Sequence, residues 1–185
     1  IDGVYIPSFF DVKYTAEGTI SGITPLRKGY EKIRGRVIHD LDLAPFPDSP
    51  VVPFTEIVHD RIAIEINRGC THGCRFCQAG FVWRPSRERS PSRVLELALS
   101  SLKNTGYDEL SLLSLSAGDY LCLEELVKAL IGRLEKDKIA LSLPSLRVES
   151  LTPPLMEEIK KIRKTGFTIA PEAGSERLRR VINKN

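Results

Sequence analysis

Cys70, Cys74 and Cys77 fall within Arg68-Gly69-Cys70-Thr71-His72-Gly73-Cys74-Arg75-Phe76-Cys77, a C-x3-C-x2-C spacing. Thiolates are good ligands for iron and for zinc. Gly69 and Gly73 let the backbone fold tightly around three sulfurs. Three thiolates are one short of a closed cage. A structural zinc takes four ligands, whereas a four-iron cluster held by three cysteines keeps one iron open to bind something else. The competing reading is a zinc knuckle with Cys122 or His72 as fourth ligand, although C-x3-C is less usual than C-x2-C at zinc sites. Taken alone, Cys122 reads as a small buried hydrophobe and His72 as a loop side chain.

A repeated strand–loop–helix pattern from Arg61 onward must position this loop. Ile62–Ile66 reads as a short strand ending at the cysteines. Ser90-Pro91 opens a helix, with Ser as N-cap and Pro at the first helical position. Leu95, Ala98, Leu99 and Leu102 make its apolar face, and Gly106 closes it. Leu110–Leu115 is the second strand. Leu123, Leu126, Val127, Leu130, Ile131 and Leu134 stripe the next helix. The stretch 139–148 holds the third strand. Thr152-Pro153 opens the third helix, with Leu155, Ile159 and Ile162 facing the core and Gly166 ending it. Phe167–Ala170 is the fourth strand, and Ser175 caps a fourth helix that runs to the end of the sequence. Successive β-α units predict a parallel sheet with right-handed crossovers. The fold class is α/β: a partial (βα) barrel of parallel strands, truncated after about four units, since a closed barrel needs eight. In such folds the site lies at the carboxyl ends of the strands, so every strand-end motif is expected on the face of the cysteine loop.

Residues 1–57 read differently. Phe10–Tyr14 alternates like a half-buried strand. Gly18 and Gly22 bracket a second short stretch, Thr19-Ile20, so a hairpin is expected. Pro45, Pro47, Pro50 and Pro53 suit an extended linker. Residues 1–57 are therefore assigned as an N-terminal connector crossing the surface of the next unit, and 58–185 as the barrel segment.

The chain of 185 residues is 42% hydrophobic and 28% charged, ordinary for a globular domain with its own core. Its net charge of +3 is too small to argue for nucleic acid or a membrane surface. No apolar run approaches membrane-spanning length, and no signal peptide is visible. Four cysteines, three of them clustered, do not resemble a secreted disulfide framework, so a reducing cytoplasm is the expected setting. The start at Ile1 and the last helix signal read as a piece of a longer protein.

The cysteine loop after the first strand, with Phe76 before the last cysteine, resembles the radical S-adenosylmethionine (radical SAM) superfamily. The resemblance covers about residues 54–185. It implies a [4Fe-4S] cluster on Cys70, Cys74 and Cys77, with the amino and carboxylate groups of SAM on the fourth iron. Reduction then cleaves the sulfonium and releases a 5′-deoxyadenosyl radical. The resemblance also implies SAM contacts at Phe76, Ser116, Gly118, Asp119, Arg147 and Glu172. Ser116-Ala117-Gly118-Asp119 stands where the family carries a Gly-Gly-Glu-like motif for the SAM ammonium. Here Ala117 replaces a glycine and Asp119 a glutamate, and a plain strand-to-helix turn is the alternative. Arg147 suits the SAM carboxylate, against the alternative of a surface arginine. Pro171-Glu172-Ala173-Gly174-Ser175 resembles the family's Glu-Ser-Gly-Ser stretch, whose acid meets the ribose hydroxyls. The cap at Ser175 needs no Glu172.

Within the superfamily, Cys77–Gly80, Arg84–Ser90 and Ala170–Gly174 resemble an uncharacterised branch in which the core follows a cobalamin-binding-like domain. Cobalamin is implied for a longer protein only. A one-electron donor of flavodoxin or ferredoxin type is expected. The substrate is open between methyl transfer and RNA modification. Arg84, Arg87, Arg89 and Arg93 suit a phosphate-gripping cluster or, equally, a solvated loop, with Phe81 and Trp83 the only aromatics among them. A non-catalytic zinc module contacting RNA or a protein partner is the alternative from another class.

Overall fold

A computed structural model describes residues 3–163, 167 and 169–184. The chain divides into two compact units, Ile1–His39 and Asp40–Asn185. In the first, β1 (Phe10–Tyr14) pairs antiparallel with β2 (Ile20–Pro25), Phe10 opposite Pro25, with a bulge between Lys13 and Tyr14. The expected hairpin is present, but its second strand is longer than Thr19-Ile20. Gly22 does not close it; it lies inside β2, opposite Lys13. Gly18, with φ +80°, makes the turn, a conformation that glycine adopts without strain. Edge-on packing of Phe9 and Tyr30, ring centroids 4.8 Å apart, buttresses the hairpin.

The second unit contains β3 (Ile62–Glu65), β4 (Asn67–Arg68), α1 (Ala79–Val82), β5 (Arg87–Glu88), α2 (Pro91–Thr105), β6 (Glu109–Leu113), α3 (Leu123–Leu134), β7 (Ala140–Ser142), α4 (Pro153–Lys160) and α5 (Glu176–Val181). β3, β6 and β7 form a parallel sheet in chain order, with Ile62 opposite Leu110 and Glu109 opposite Ala140. Leu146 and Ile169 add an isolated parallel bridge. Around Ile169, Thr168 of the expected fourth strand lies outside the described residues, as does the expected helix stop at Gly166.

Caps behave as the sequence predicts. The Ser90 hydroxyl accepts from the Arg93 N–H, and Gly106 closes α2 at φ +74°. Thr152 and Ser175 cap α4 and α5 by accepting from Leu155 and Leu178. The full α3 stripe is buried. In α2 the buried face is Val94, Leu97, Ala98, Ser101 and Leu102, while Leu95 and Leu99 are half-buried. The stripe is thus rotated from the expected one, because α2 packs against both β3 and α3. α5 stops at Val181 and does not run to the end of the sequence; Asn183 follows in the left-handed region, φ +56°.

Ile62, Ile64, Leu110, Leu112 and Leu141 are buried in one core with α2, α3 and α4. Between them Ala63 is exposed and Glu65 half-buried, so the helices pack on one face of the sheet. The proline-rich segment crosses α2. Leu41 is fully buried, the Asp42 carboxylate accepts from the Ser90 N–H, and the Ser100 hydroxyl donates to Asp48. Among the described residues no helix is long and apolar enough to cross a membrane.

Candidate metal centre

The cysteine loop leaves the sheet through β4, whose residues Asn67 and Arg68 pair with Glu88 and Arg87 of β5. Gly69 sits at φ +100°, and a Cβ there would lie 2.5 Å from the Trp83 carbonyl oxygen and 2.8 Å from that of Pro85. No other residue type lets the 83–86 segment lie directly on the loop entrance. A turn follows, with the Cys77 N–H donating to the Cys74 carbonyl at 3.0 Å. Glu65, at the end of β3, holds Arg68 through two hydrogen bonds of 2.7 and 2.6 Å.

Cys70, Cys74 and Cys77 line one cavity of about 360 Å³. Cys74 is buried, Cys70 and Cys77 are half-buried, and all are free thiols. The ends of successive strands supply much of the remaining wall, including Leu115, Ser116, Leu146 and Arg147. Among the described residues no three His, Cys, Asp or Glu side chains are gathered tightly enough to hold a single metal ion.

The residues assigned by resemblance are brought together unevenly. Ser116 lines the cavity, is 5% exposed, and its hydroxyl has no hydrogen-bond partner among the described residues. An unpaired buried hydroxyl is costly, so this oxygen is suited to a ligand. Arg147 lines the same cavity and donates through Nε to Glu149. Burial works against its charge, but Glu149 and the Cys74 sulfur outweigh burial and raise its pKa. The same guanidinium, against burial, lowers the pKa of Glu149. Phe76 lines the cavity and is 55% exposed, and Lys184 Nζ lies 5.8 Å from its ring centroid.

Gly118, Asp119 and Glu172 do not line that cavity. Gly118 lies in the turn Ala117–Asp119, pressed against Ser150. Asp119 Oδ2 lies 2.6 Å from His72 Nε2, a close contact that is not an aligned hydrogen bond. Glu172 is exposed at φ +65°, and Lys184 Nζ contacts its carboxylate at 3.0 Å. Cys122 is exposed just before α3 and does not line the cavity, contrary to its reading as a buried hydrophobe.

The four arginines do not form one surface cluster. Arg89 is 2% exposed and donates to the Leu41 and Glu65 carbonyls. Burial lowers its pKa. Arg93 pairs with Glu96, and Arg84 donates to the Gly80 carbonyl. Sequence reasoning missed Ser145, Asn183 and Lys184. Ser145 and Lys184 line the cavity, while the Asn183 amide reaches the His72 and Gly73 carbonyls. No local pattern marks the last two; they arrive from the far end of the chain.

Similarity to known proteins agrees with this arrangement. The model of the radical SAM superfamily matches residues 64–185, a span that takes in the cysteine loop and β6 and β7 entirely. An uncharacterised protein of Methanocaldococcus jannaschii is 39% identical over 122 residues, covering 66% of this chain and 26% of that protein. The chain therefore spans about a quarter of that relative's length. With the family model matching well over half of its residues, the chain belongs to the radical SAM superfamily.

Proposed function

We propose that this chain is the core of a radical SAM enzyme, with Cys70, Cys74 and Cys77 as the ligands of a [4Fe-4S] cluster. The observation that carries the reading is the single cavity lined by those three thiols, the partnerless Ser116 hydroxyl and Arg147. This donor set fits the group: three soft ligands on the wall of one cavity, beside polar atoms suited to a second ligand. When bound, the cluster supplies the electron that cleaves SAM to a 5′-deoxyadenosyl radical.

The chain's own residues bind and orient. Arg147, already held by Glu149, presents a planar donor to the SAM carboxylate. Ser116 offers the hydroxyl that lacks a partner. Asp119 accepts from the SAM ammonium while His72 keeps its carboxylate turned toward the cysteine loop. Glu172 accepts from the ribose hydroxyls, for which Lys184 must release it. Leu115, Leu146 and Phe76 give the cavity an apolar lining beside the thiols. Helices on one sheet face suit a partial (βα) barrel, whose inner face receives substrate. The electron comes from a protein donor of flavodoxin or ferredoxin type in a reducing cytoplasm. Methyl transfer and RNA modification are both readings of the substrate step, and burial of Arg89 removes one cation from the arginine cluster that the second would use.

Anaerobic reconstitution tests the proposal. About four irons and matching sulfide per chain, with 5′-deoxyadenosine formed from SAM on reduction, is the expected result. Replacing the three cysteines by serine abolishes both. One tightly held zinc, lost on Cys122→Ser, would overturn it.

A further inference from the structure

We infer that the turn Ile182–Lys184 after α5 is a clasp on the cysteine loop, with Asn183 as the positioning residue that holds the loop ready to ligate. The inference rests on the reading that this loop carries the cluster.

The loop has little structure of its own. Gly69 and Gly73 both adopt positive φ, and glycines make a loop entropically expensive to order. Its local hydrogen bond is the Cys74–Cys77 turn. The middle of the loop is held from the distant turn. The Asn183 side-chain amide donates to two successive carbonyls, His72 at 2.9 Å and Gly73 at 3.0 Å. In return, the Arg75 N–H donates to the Ile182 carbonyl at 2.9 Å, and the Arg75 guanidinium donates to the Val181 carbonyl.

Both directions have a physical cause. The last carbonyls of a helix lack partners inside it, so Val181 and Ile182 are natural acceptors. Asn183 adopts φ +56°, a conformation asparagine tolerates better than most residues. The bend turns its side chain onto the loop. One amide gripping two adjacent carbonyls fixes the peptides on both sides of Gly73, and so the approach to Cys74. The next residue, Lys184, then lines the thiol cavity.

The test separates the side chain from the turn. Asn183→Gly keeps the left-handed bend and removes the amide. Asn183→Asp keeps the shape but cannot donate. In the metal-free chain, alkylation by iodoacetamide is followed cysteine by cysteine, with exposed Cys122 as internal reference. Both variants should alkylate Cys74 about tenfold faster, the scale set by losing two exposed hydrogen bonds. Cys122 should stay unchanged, and Tm should fall by only a few degrees. In the reconstituted chain both variants should lose iron to a chelator faster and show an altered electron paramagnetic resonance signal. Asn183→Gln, which restores a donor, should recover part of both.

Unchanged Cys74 reactivity and iron loss in both variants would overturn the clasp while leaving the cluster reading intact. An equal rise at Cys70, Cys74 and Cys77 with Tm lowered by about ten degrees or more would overturn it as well, since it would mark general destabilisation. Faster Cys74 alkylation in variants of a chain that assembles no cluster would uphold the clasp and sink the cluster reading.

Discussion

His72 Nε2 lies 2.6 Å from Asp119 Oδ2, so the middle of the cysteine loop meets the turn that follows β6. Both side chains are about one-third exposed, 28% and 35%, so water solvates the contact and it adds little to stability. Its larger effect is expected on ligand binding. Asp119→Asn should weaken SAM binding to the reconstituted protein about tenfold, roughly 1.4 kcal/mol. His72→Ala should weaken it less, and the double variant should fall short of the sum, as coupled neighbours do. Equilibrium binding of SAM at fixed cluster content checks this.

Gly118 has no room for a side chain. A Cβ would lie 2.1 Å from Ser150 Oγ and 2.2 Å from its Cβ. Ser150 in turn accepts from the Arg147 N–H and donates to the Arg147 carbonyl. Gly118→Ala should cost about 2 kcal/mol through overpacking and displace Arg147 from the cavity. Adding Ser150→Gly should return more than half of the lost stability, read from urea unfolding.

Buried Arg89 joins three parts of the second unit. It donates to the Leu41 and Glu65 carbonyls, and its own carbonyl accepts from the Tyr120 hydroxyl at 2.7 Å. Arg89→Met leaves two carbonyls without donors and should cost about 3 kcal/mol at roughly 1–3 kcal/mol each. The measurement is again the urea midpoint at constant slope.

Tyr120 should make the fold sensitive to alkali. Burial, and then the charge of Glu88, hold its phenol well above the ordinary value of 10.0. The folded state keeps the proton where the unfolded chain has released it. Its contribution is therefore complete below about pH 10 and is lost as pH rises further, by up to roughly 1.4 kcal/mol per pH unit. Tyr120→Phe should flatten this slope relative to the parent and cost about 1 kcal/mol at neutral pH through the lost hydrogen bond.

The cysteine spacing, the ends of α2 and the stripe of α3 were legible in the sequence because each depends on neighbours within a few positions. Ser90 reaches Arg93, and Gly106 closes α2 at φ +74°. Those are local events of helix geometry. The same local logic misjudged α2, whose stripe turned toward Val94 and Leu97. Two neighbours compete for that helix, and periodicity alone does not say where they stand.

Residue types and spacing alone determined that three thiolates follow the first strand of a parallel α/β unit. Only the tertiary structure decided which polar groups surround them. Ser116 and Arg147 came to the thiol cavity, Asp119 was drawn to His72, Arg89 was buried against Leu41, and Asn183 closed on the loop. The reason is physical. A helix cap or a ligand spacing is set by a few bonds of local backbone. A contact such as that of Asn183 with His72, 111 residues apart, exists only once the sheet and its helices have packed and brought distant strand ends together.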